Sequence, residues 1–161
     1  MEDKVSPTKM SVEQIKSQIR HMFEELNKKN TAVFDEIAAP GVVSHLPNGT
    51  NLKNIDAWKL YINVLFSAFP DAHFTLDDIV VEGDTAAFRY TETGTYKGKL
   101  GNPAPVGKKV TDIVFVFFRY EGSKVVEQWG MLNQLGWYEQ LGVIPHTMSS
   151  RINTMDMLAS G

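Results

Sequence analysis

The sequence predicts an α+β fold in which helices come first and an antiparallel sheet follows. Up to about residue 69 the apolar residues recur at helical spacing, whereas from Phe74 onward they alternate with polar residues as strands do. Two short turn sequences, Gly83-Asp84 and Glu121-Gly122, separate the alternating segments and predict hairpins between neighbouring strands. A run of helices followed by a run of hairpin-linked strands is typical of α+β proteins.

The first half of the chain predicts three helices and one short strand. Ser11 and Gln14 have the spacing of a capping box at the start of the first helix. A second, short helix from Val33 ends near Pro40-Gly41 and precedes a strand at 42–45. The third helix begins after Asn54 and ends before Pro70. Each helix has an apolar face that can pack against a sheet.

The second half predicts four strands. They are expected from Phe74 to Val81, Thr85 to Lys97, Val110 to Tyr120, and Lys124 to Asn133. Asp77 and Asp78 interrupt the alternation of the first of these strands and predict a β-bulge. A loop from 98 to 107 and a closing helical turn at 134–142 complete the fold. We therefore expect one domain over 11–143, a disordered N-terminus at 1–10 and a polar C-terminal tail at 144–161.

Composition excludes several classes of function. The chain has 161 residues, 43% of them hydrophobic and 22% charged, with a net charge of −3. Because it has no concentrated basic region, we do not expect it to bind nucleic acid. It has no cysteine, which excludes thiol catalysis, disulfides and cysteine-based metal sites. We see no secretory signal, and the longest apolar run, 113–118, is too short to span a membrane, so a cytoplasmic protein is expected.

The last predicted strand carries unusual polar residues. Residues two apart share a face of a strand, so Glu127, Trp129 and Asn133 lie on one face together with apolar neighbours. A carboxylate, an indole and an amide on such a face indicate either the lining of a pocket or a wet edge of the core.

The alternation of residues in two neighbouring strands, 85–97 and 110–120, predicts which side chains face the helices and which face outward. The residues expected to face the helices are Ala86, Phe88, Tyr90, Glu92 and Tyr96. The strand from Val110 to Tyr120 is apolar on both of its faces. Its outer face therefore needs a cover, which we expect to be a second subunit in a homodimer, with the C-terminal tail as the alternative.

Four segments resemble one known family. They are AFPD at 68–71, GTYKGKLGNPAPVGKKV at 94–110, EGSKVVEQWGMLN at 121–133 and QLGWYEQLG at 134–142. The chain is similar to SnoaL-like polyketide cyclases, which belong to the nuclear-transport-factor-two-like fold superfamily. This resemblance covers residues 11–143. It implies a cone-shaped, curved antiparallel sheet packed on the N-terminal helices, with one deep pocket.

The resemblance also implies a chemistry, with two departures in this chain. Cyclases of the family close a ring by a cofactor-free intramolecular aldol reaction, using a carboxylate four residues after the tryptophan. Asn133 stands at that position, and an asparagine side chain cannot take up a proton. Tyr96 stands where the family commonly has a histidine. His45, Glu127 and Trp129 match the family pattern.

Four residues are the candidates for catalysis. Glu127, with its pKa raised by burial beside Trp129, is the expected general base, and His45 is the second candidate for proton transfer. Arg119 is expected to stabilise an enolate, unless it forms an ion pair with Glu127. Asn133 is expected to orient a carbonyl group or to bond to the following turn.

Further residues are expected to bind the substrate. Glu92 is a second possible base, or an exposed residue near its strand end, and Tyr96 is expected to donate to an oxyanion or to pack at the cavity mouth. The aromatic candidates for the cavity wall are Trp58, Tyr61, Phe88, Tyr90 and Trp129. The histidine and acidic residues do not share a face as metal ligands do, and no phosphate-binding glycine loop is present. We therefore expect neither a metal nor a cofactor.

The leading hypothesis is a cofactor-independent cyclase or isomerase of secondary metabolism. Its substrate is expected to be a small hydrophobic oxygenated molecule, similar to a polyketide or terpenoid, bound in an apolar pocket. The alternative is a non-catalytic binding protein of the same fold, because the catalytic aspartate is replaced by Asn133. A third possibility is a protein–protein module with a filled cone.

Overall fold

Four helices and a six-stranded sheet make up the part of the chain that the structure describes. The structure is a computed structural model that describes residues 9–100 and 104–145. Its elements are α1 Val12–Asn27, α2 Val33–Ile37, β1 Ala38–His45, β2 Asn51–Leu52, α3 Ile55–Ala68, β3 His73–Glu82, β4 Thr85–Thr95, β5 Lys109–Glu121, β6 Lys124–Met131 and α4 Gln134–Leu141. Most of the two terminal segments predicted from sequence, 1–10 and 144–161, lies outside the described residues.

The predicted helices and strands are present, with changes at their ends. The capping box of Ser11 and Gln14 is formed, and the Asn54 side chain accepts from the backbone N–H of Ala57. Two predictions were incomplete. Strand β1 begins at Ala38 and runs through Pro40, which lies in the stretch between Ala38 and Val43 where the pairing with β6 is irregular and tolerates a residue without an N–H. The two-residue strand β2, which pairs with the end of β1, has too little sequence to show an alternation.

The sheet has the order β2-β1-β6-β5-β4-β3. All neighbouring strands are antiparallel except β1 and β6, which run parallel. The antiparallel sheet predicted from sequence is therefore confirmed, with this one parallel pair as an addition to it. A parallel pair needs a long connection, and α3 together with strands β3 to β5 supplies it.

A bulge in β6 changes which side chains face the core. Arg119 of β5 pairs with Glu127, but the next residue, Tyr120, pairs with Val125, so Val126 is extra. One extra residue reverses the alternation, because side chains on a strand alternate with a period of two. Val125 is therefore buried, while Glu127 and Trp129 face the outer side of the sheet and Gln128 faces inward.

Strand β5 is apolar on both faces, as the sequence predicts. Its even-numbered residues from Val110 to Tyr120 are buried against the helices, whereas the odd-numbered ones are exposed. The outer sheet face carries a set of exposed apolar side chains, which we call the outer patch: Val80, Ile113, Phe115, Phe117, Trp129 and Met131. No element of the described part of the chain covers it.

The C-terminal end of α1 is fastened to the start of β3 by Asn27. Its side chain accepts from the N–H of Phe74 at 2.8 Å and donates to the carbonyl of the same residue at 2.9 Å. This pairing fixes α1 across the inner face of the sheet and so sets one wall of the space between them.

Replacing Asn27 with alanine is expected to lower the free energy of unfolding by about 2 kcal/mol, because two part-buried backbone groups lose their partner. Urea denaturation measures this change. Glu24→Ala, at an exposed position of the same helix, is the control and should change stability by less than about 0.5 kcal/mol. Equal stability of the Asn27 variant and the wild type would contradict this role.

Candidate active site

A cavity of about 380 Å³ lies between the helices and the inner face of the sheet. Its walls come from α1, α3, the segment after β1, strands β4 to β6, and α4. Most of the lining side chains are apolar or aromatic, and the cavity size falls in the range of small-molecule sites. Trp58, Tyr61, Phe88, Tyr90 and Glu92, five residues that the sequence assigns to substrate binding, all line it.

Glu92 is the carboxyl group of this cavity wall. It lies on the inner face of β4 and is partly buried, with aromatic side chains lining the same cavity. Burial and, to a smaller extent, the nearby carboxyl of Asp112 together raise the pKa of Glu92 from 4.5 to about 7. No hydrogen bond from the described residues stabilises its charged form. Glu92 can therefore both accept and return a proton near neutral pH.

Asp112 is the cross-strand neighbour of Glu92. The two residues are directly paired between β4 and β5, which places their side chains on the same face. Burial raises the pKa of Asp112, while hydrogen bonds from the backbone N–H groups of Ile113 and Asn133 oppose that rise. Its Oδ2 atom is buried and has no hydrogen-bond partner among the described residues. The carboxyl of Asp112 therefore disfavours the charged form of Glu92.

Two tyrosines line the cavity together with Glu92: Tyr90 on the same strand and Tyr61 on α3. Burial raises the pKa of Tyr61, and it raises the pKa of Tyr90 well above the ordinary value, with the charge of Glu92 acting in the same direction in both cases. Both phenols therefore stay protonated at neutral pH and are hydrogen-bond donors. Donors beside a titrating carboxyl suit a reaction in which a carbonyl oxygen becomes negative.

The residues predicted to form the catalytic centre lie outside the cavity. His45 Nε2 is 2.8 Å from Glu127 Oε1, and Arg119 donates to the other oxygen of that carboxylate. The His45 ring is stacked on Trp129, with 5.1 Å between ring centroids. We call these four residues the outer cluster. The prediction that Glu127 and Trp129 face the pocket is wrong, because the bulge at Val126 turns them to the outer face.

Asn133 and Tyr96 also have places different from the expected ones. Asn133 is the N-cap of α4, where its side-chain oxygen accepts from the N–H of Gly136 at 3.0 Å. This is the turn-bonding alternative considered from sequence. Tyr96 is 1% exposed in a small cluster with Phe69 and Leu141. Neither side chain lines the cavity.

The sequence agrees with this fold. A family model for SnoaL-like polyketide cyclases matches residues 17–141. The chain belongs to the SnoaL-like polyketide cyclase family. No curated protein matches it. None of the helices among residues 9–100 and 104–145 is long and apolar enough to cross a membrane.

Solved structures resemble this SnoaL-like protein over most of its length. TsrD from Streptomyces laurentii is 27% identical with a TM-score of 0.75, and the match covers 84% of this chain and 100% of that one. AclR from Streptomyces galilaeus, a candidate hydroxylase, is 26% identical with a TM-score of 0.74 over 84% and 100% of the two chains. IdmH from Streptomyces antibioticus, a candidate polyketide cyclase, is 27% identical with a TM-score of 0.69 over 79% and 97%. These names differ in reaction, so the shared fold alone does not decide the chemistry.

Sequence reasoning missed three polar residues of the inner face. Ser44 and Gln128 line the cavity of this SnoaL-like protein, and Asp112 lies beside Glu92. Asp112 could have been found from the sequence, because it alternates with the buried residues of β5 and that strand neighbours the one that carries Glu92. Gln128 could not, because its inward position depends on the bulge. Within the described residues, no three His, Asp or Glu side chains are grouped as metal ligands.

Proposed function

We propose that this protein is a cofactor-independent cyclase or isomerase that acts on a small hydrophobic oxygenated molecule, similar to a polyketide or terpenoid, with Glu92 as its acid/base group. One observation carries the proposal: the carboxyl group of Glu92 lines an apolar cavity of about 380 Å³, where burial and the neighbouring Asp112 raise its pKa to about 7. Such a group titrates where a general base at neutral pH is most effective. Membership of the SnoaL-like polyketide cyclase family and the similarity to IdmH support a polyketide-like substrate.

The proposed chemistry is a proton transfer next to a carbonyl group. The Glu92 carboxylate takes a proton from a carbon adjacent to the carbonyl, and the electron pair of the C–H bond moves onto the carbonyl oxygen. The phenol of Tyr61 or Tyr90 donates a hydrogen bond to that enolate oxygen. In a cyclisation, the enolate carbon bonds to a second carbonyl carbon, whose C=O electron pair moves onto its oxygen, and Glu92 protonates the resulting alkoxide. In an isomerisation, the enolate takes back that one proton from Glu92 at a carbon atom. The apolar and aromatic lining of the cavity limits the contact of water with the enolate.

Hydrogen–deuterium exchange tests this proposal without knowledge of the natural substrate. Incubated with 2-tetralone in D₂O, the protein should exchange the protons next to the ketone faster than buffer alone, as measured by ¹H NMR. The rate should increase with pH through about 7, because the carboxylate form of Glu92 is the base. A rate equal to that of buffer at every pH would contradict the proposal.

The outer cluster is expected to have no part in this reaction. Glu127→Gln should leave the exchange rate within about threefold of the wild type, because Glu127 contacts His45 and Arg119 on the opposite face of the sheet from the cavity. The same NMR assay measures it. A loss comparable to that of a Glu92 variant would show that catalysis belongs to the outer cluster instead.

A non-catalytic binding protein is the second candidate function. It is favoured by Asn133, which caps α4 and leaves the position of the family's carboxylate without a base. Calorimetry with 2-tetralone separates the two functions, because a carrier binds the ketone but does not accelerate exchange. The cavity weighs against the third possibility, a protein–protein module, since that function predicts a filled cone.

We further propose that two copies of the chain associate through the outer patch. Phe115 and Phe117 are 54% and 51% exposed there, and Trp129 lies across from Phe117 on β6. Exposed aromatic side chains at the centre of a sheet face are typical of a protein interface. A two-fold axis through β5 would bury this face against its own copy, as closed homodimers do.

A further inference from the structure

The Gln128 side chain is held in one orientation by Ser44. These residues are paired between the parallel strands β1 and β6, and both are buried. The Ser44 hydroxyl donates to the Oε1 atom of Gln128. This bond leaves the amide nitrogen, Nε2, on the other side of the side chain. Both residues line the cavity, so the amide is positioned within its wall.

The two N–H groups of Gln128 have no protein partner among the described residues. Its Nε2 atom makes no hydrogen bond there, although the side chain is only 7% exposed. Gly130 keeps the neighbouring space open, since a Cβ atom at that residue would lie 2.8 Å from Nε2. The Nε2 atom is not itself among the buried atoms that lack a partner, so its N–H groups are accessible from the cavity, where a ligand oxygen can accept from them.

Gln128 and Glu92 lie at different depths of the cavity. Gln128 pairs with Phe118 of β5, whereas Glu92 pairs with Asp112, six residues earlier on the same strand. Six residues of a straight strand span about 20 Å, and the curvature of the sheet and the inward side chains shorten the gap between the two functional groups. The two groups therefore do not act on the same oxygen of a small ligand.

We propose that Gln128, oriented by Ser44, is a positioning and specificity-determining residue that binds a second carbonyl oxygen of the substrate, at the end remote from the reacting carbon. This inference rests on the cavity being the ligand site of the proposed function. It names the substrate class more closely: an elongated molecule of at least two rings or equivalent chain length, with carbonyl oxygens near both ends. Binding at the remote end contributes equally to the ground state and the transition state, so it lowers KM for a molecule whose reacting carbon lies beside Glu92.

A matched pair of ketones tests the proposal. 6-Acetyl-2-tetralone has a carbonyl group at the end remote from the exchanging protons, and 6-ethyl-2-tetralone has the same shape without that oxygen. For the acetyl compound, Gln128→Leu should raise KM for exchange about tenfold and leave kcat nearly unchanged, because a hydrogen bond to a bound oxygen is lost. For the ethyl compound, the variant and the wild type should have the same KM.

Two further variants keep the result interpretable. Gln128→Leu leaves the Ser44 hydroxyl without its acceptor, so the double variant Ser44→Ala/Gln128→Leu removes both groups and should show the same loss for the acetyl compound alone. Gln134→Leu changes another amide of the cavity wall and should not distinguish the two ketones.

The failure of this inference differs from the failure of the proposed function. Equal effects of Gln128→Leu on both ketones would overturn the inference. Proton exchange of 2-tetralone by the wild type would in that case still support the acid/base role of Glu92. Calorimetry can also show that the wild type, but not Gln128→Leu, binds the acetyl compound more tightly than the ethyl compound. If this occurs without any proton exchange, it would support the role of Gln128 in binding and contradict the role of Glu92 as an acid/base group. Tighter binding of the ethyl compound by the wild type would show that no donor faces the ligand there.

Discussion

Glu92→Gln is expected to slow exchange of 2-tetralone by about 10²- to 10⁴-fold, the contribution typical of a positioned general base. Glutamine keeps the size of the side chain and its place on β4, but it cannot accept the proton. The residual rate should no longer depend on pH near 7. Glu127→Gln, which makes the same chemical change on the outer face, is the matched control. If the Glu92 variant keeps the wild-type rate, another group is the base.

The same variant is expected to be more stable than the wild type at alkaline pH. Burial raises the pKa of Glu92 to about 7, so the folded state binds a proton more tightly than the unfolded state does. Stability therefore falls as pH rises from about 4.5 to about 7, and the cost at pH 8 is about 3 kcal/mol. Urea denaturation at pH 8 should show the gain in Glu92→Gln, and at pH 4 the gain should be absent. A side chain whose replacement makes the protein more stable but less active is typical of a functional site.

Phe117→Glu is expected to weaken self-association roughly a thousandfold. Phe117 lies in the middle of the outer patch, between Ala87 of β4 and Trp129 of β6, so an isologous interface would bring both copies of the new carboxylate into an apolar contact. Sedimentation velocity measures the change from dimer to monomer. Leu60→Glu is the control, because Leu60 is 65% exposed on α3, away from the sheet face. A wild type that is monomeric at all concentrations would contradict the dimer.

The elements of the fold could be predicted because they follow from local patterns. The capping box of Ser11, the cap at Asn54 and the bulge at Asp77-Asp78 each depend on residues close in sequence. The faces of β4 and β5 followed from simple alternation. The parallel pairing of β1 with β6 could not be predicted in this way, since it joins residues more than 80 positions apart.

The candidate site was predicted only in part, for one physical reason. An extra residue at Val126 reverses the faces of β6, and nothing in the sequence Val125-Val126 marks it, because two valines suit a regular strand as well as a bulge. The error placed Glu127 in the pocket and left Gln128 out. The predicted faces of β4 were unaffected, which is why Glu92, Tyr90 and Phe88 line the cavity as expected.

The position of Asn133 has a similar explanation. The family resemblance assigns it to the site, but β6 ends at Met131 and the chain turns into α4, where an asparagine is among the best N-caps. Its side chain is therefore engaged by the N–H of Gly136, while its backbone N–H bonds to Asp112. Near this end of the sheet, Asp112 and Glu92 carry carboxyl groups in place of the family's carboxylate at the position of Asn133.

Titration of the Glu92 carboxyl by ¹³C NMR tests the central claim most directly. The signal is assigned by its absence from Glu92→Gln, and the midpoint is measured with and without 2-tetralone. The account predicts a midpoint near 7 that shifts when the ketone is bound, because the carboxyl lines the ligand cavity. A midpoint near 4.5 that is unaffected by the ketone would show that Glu92 is an ordinary solvated glutamate and would contradict the account.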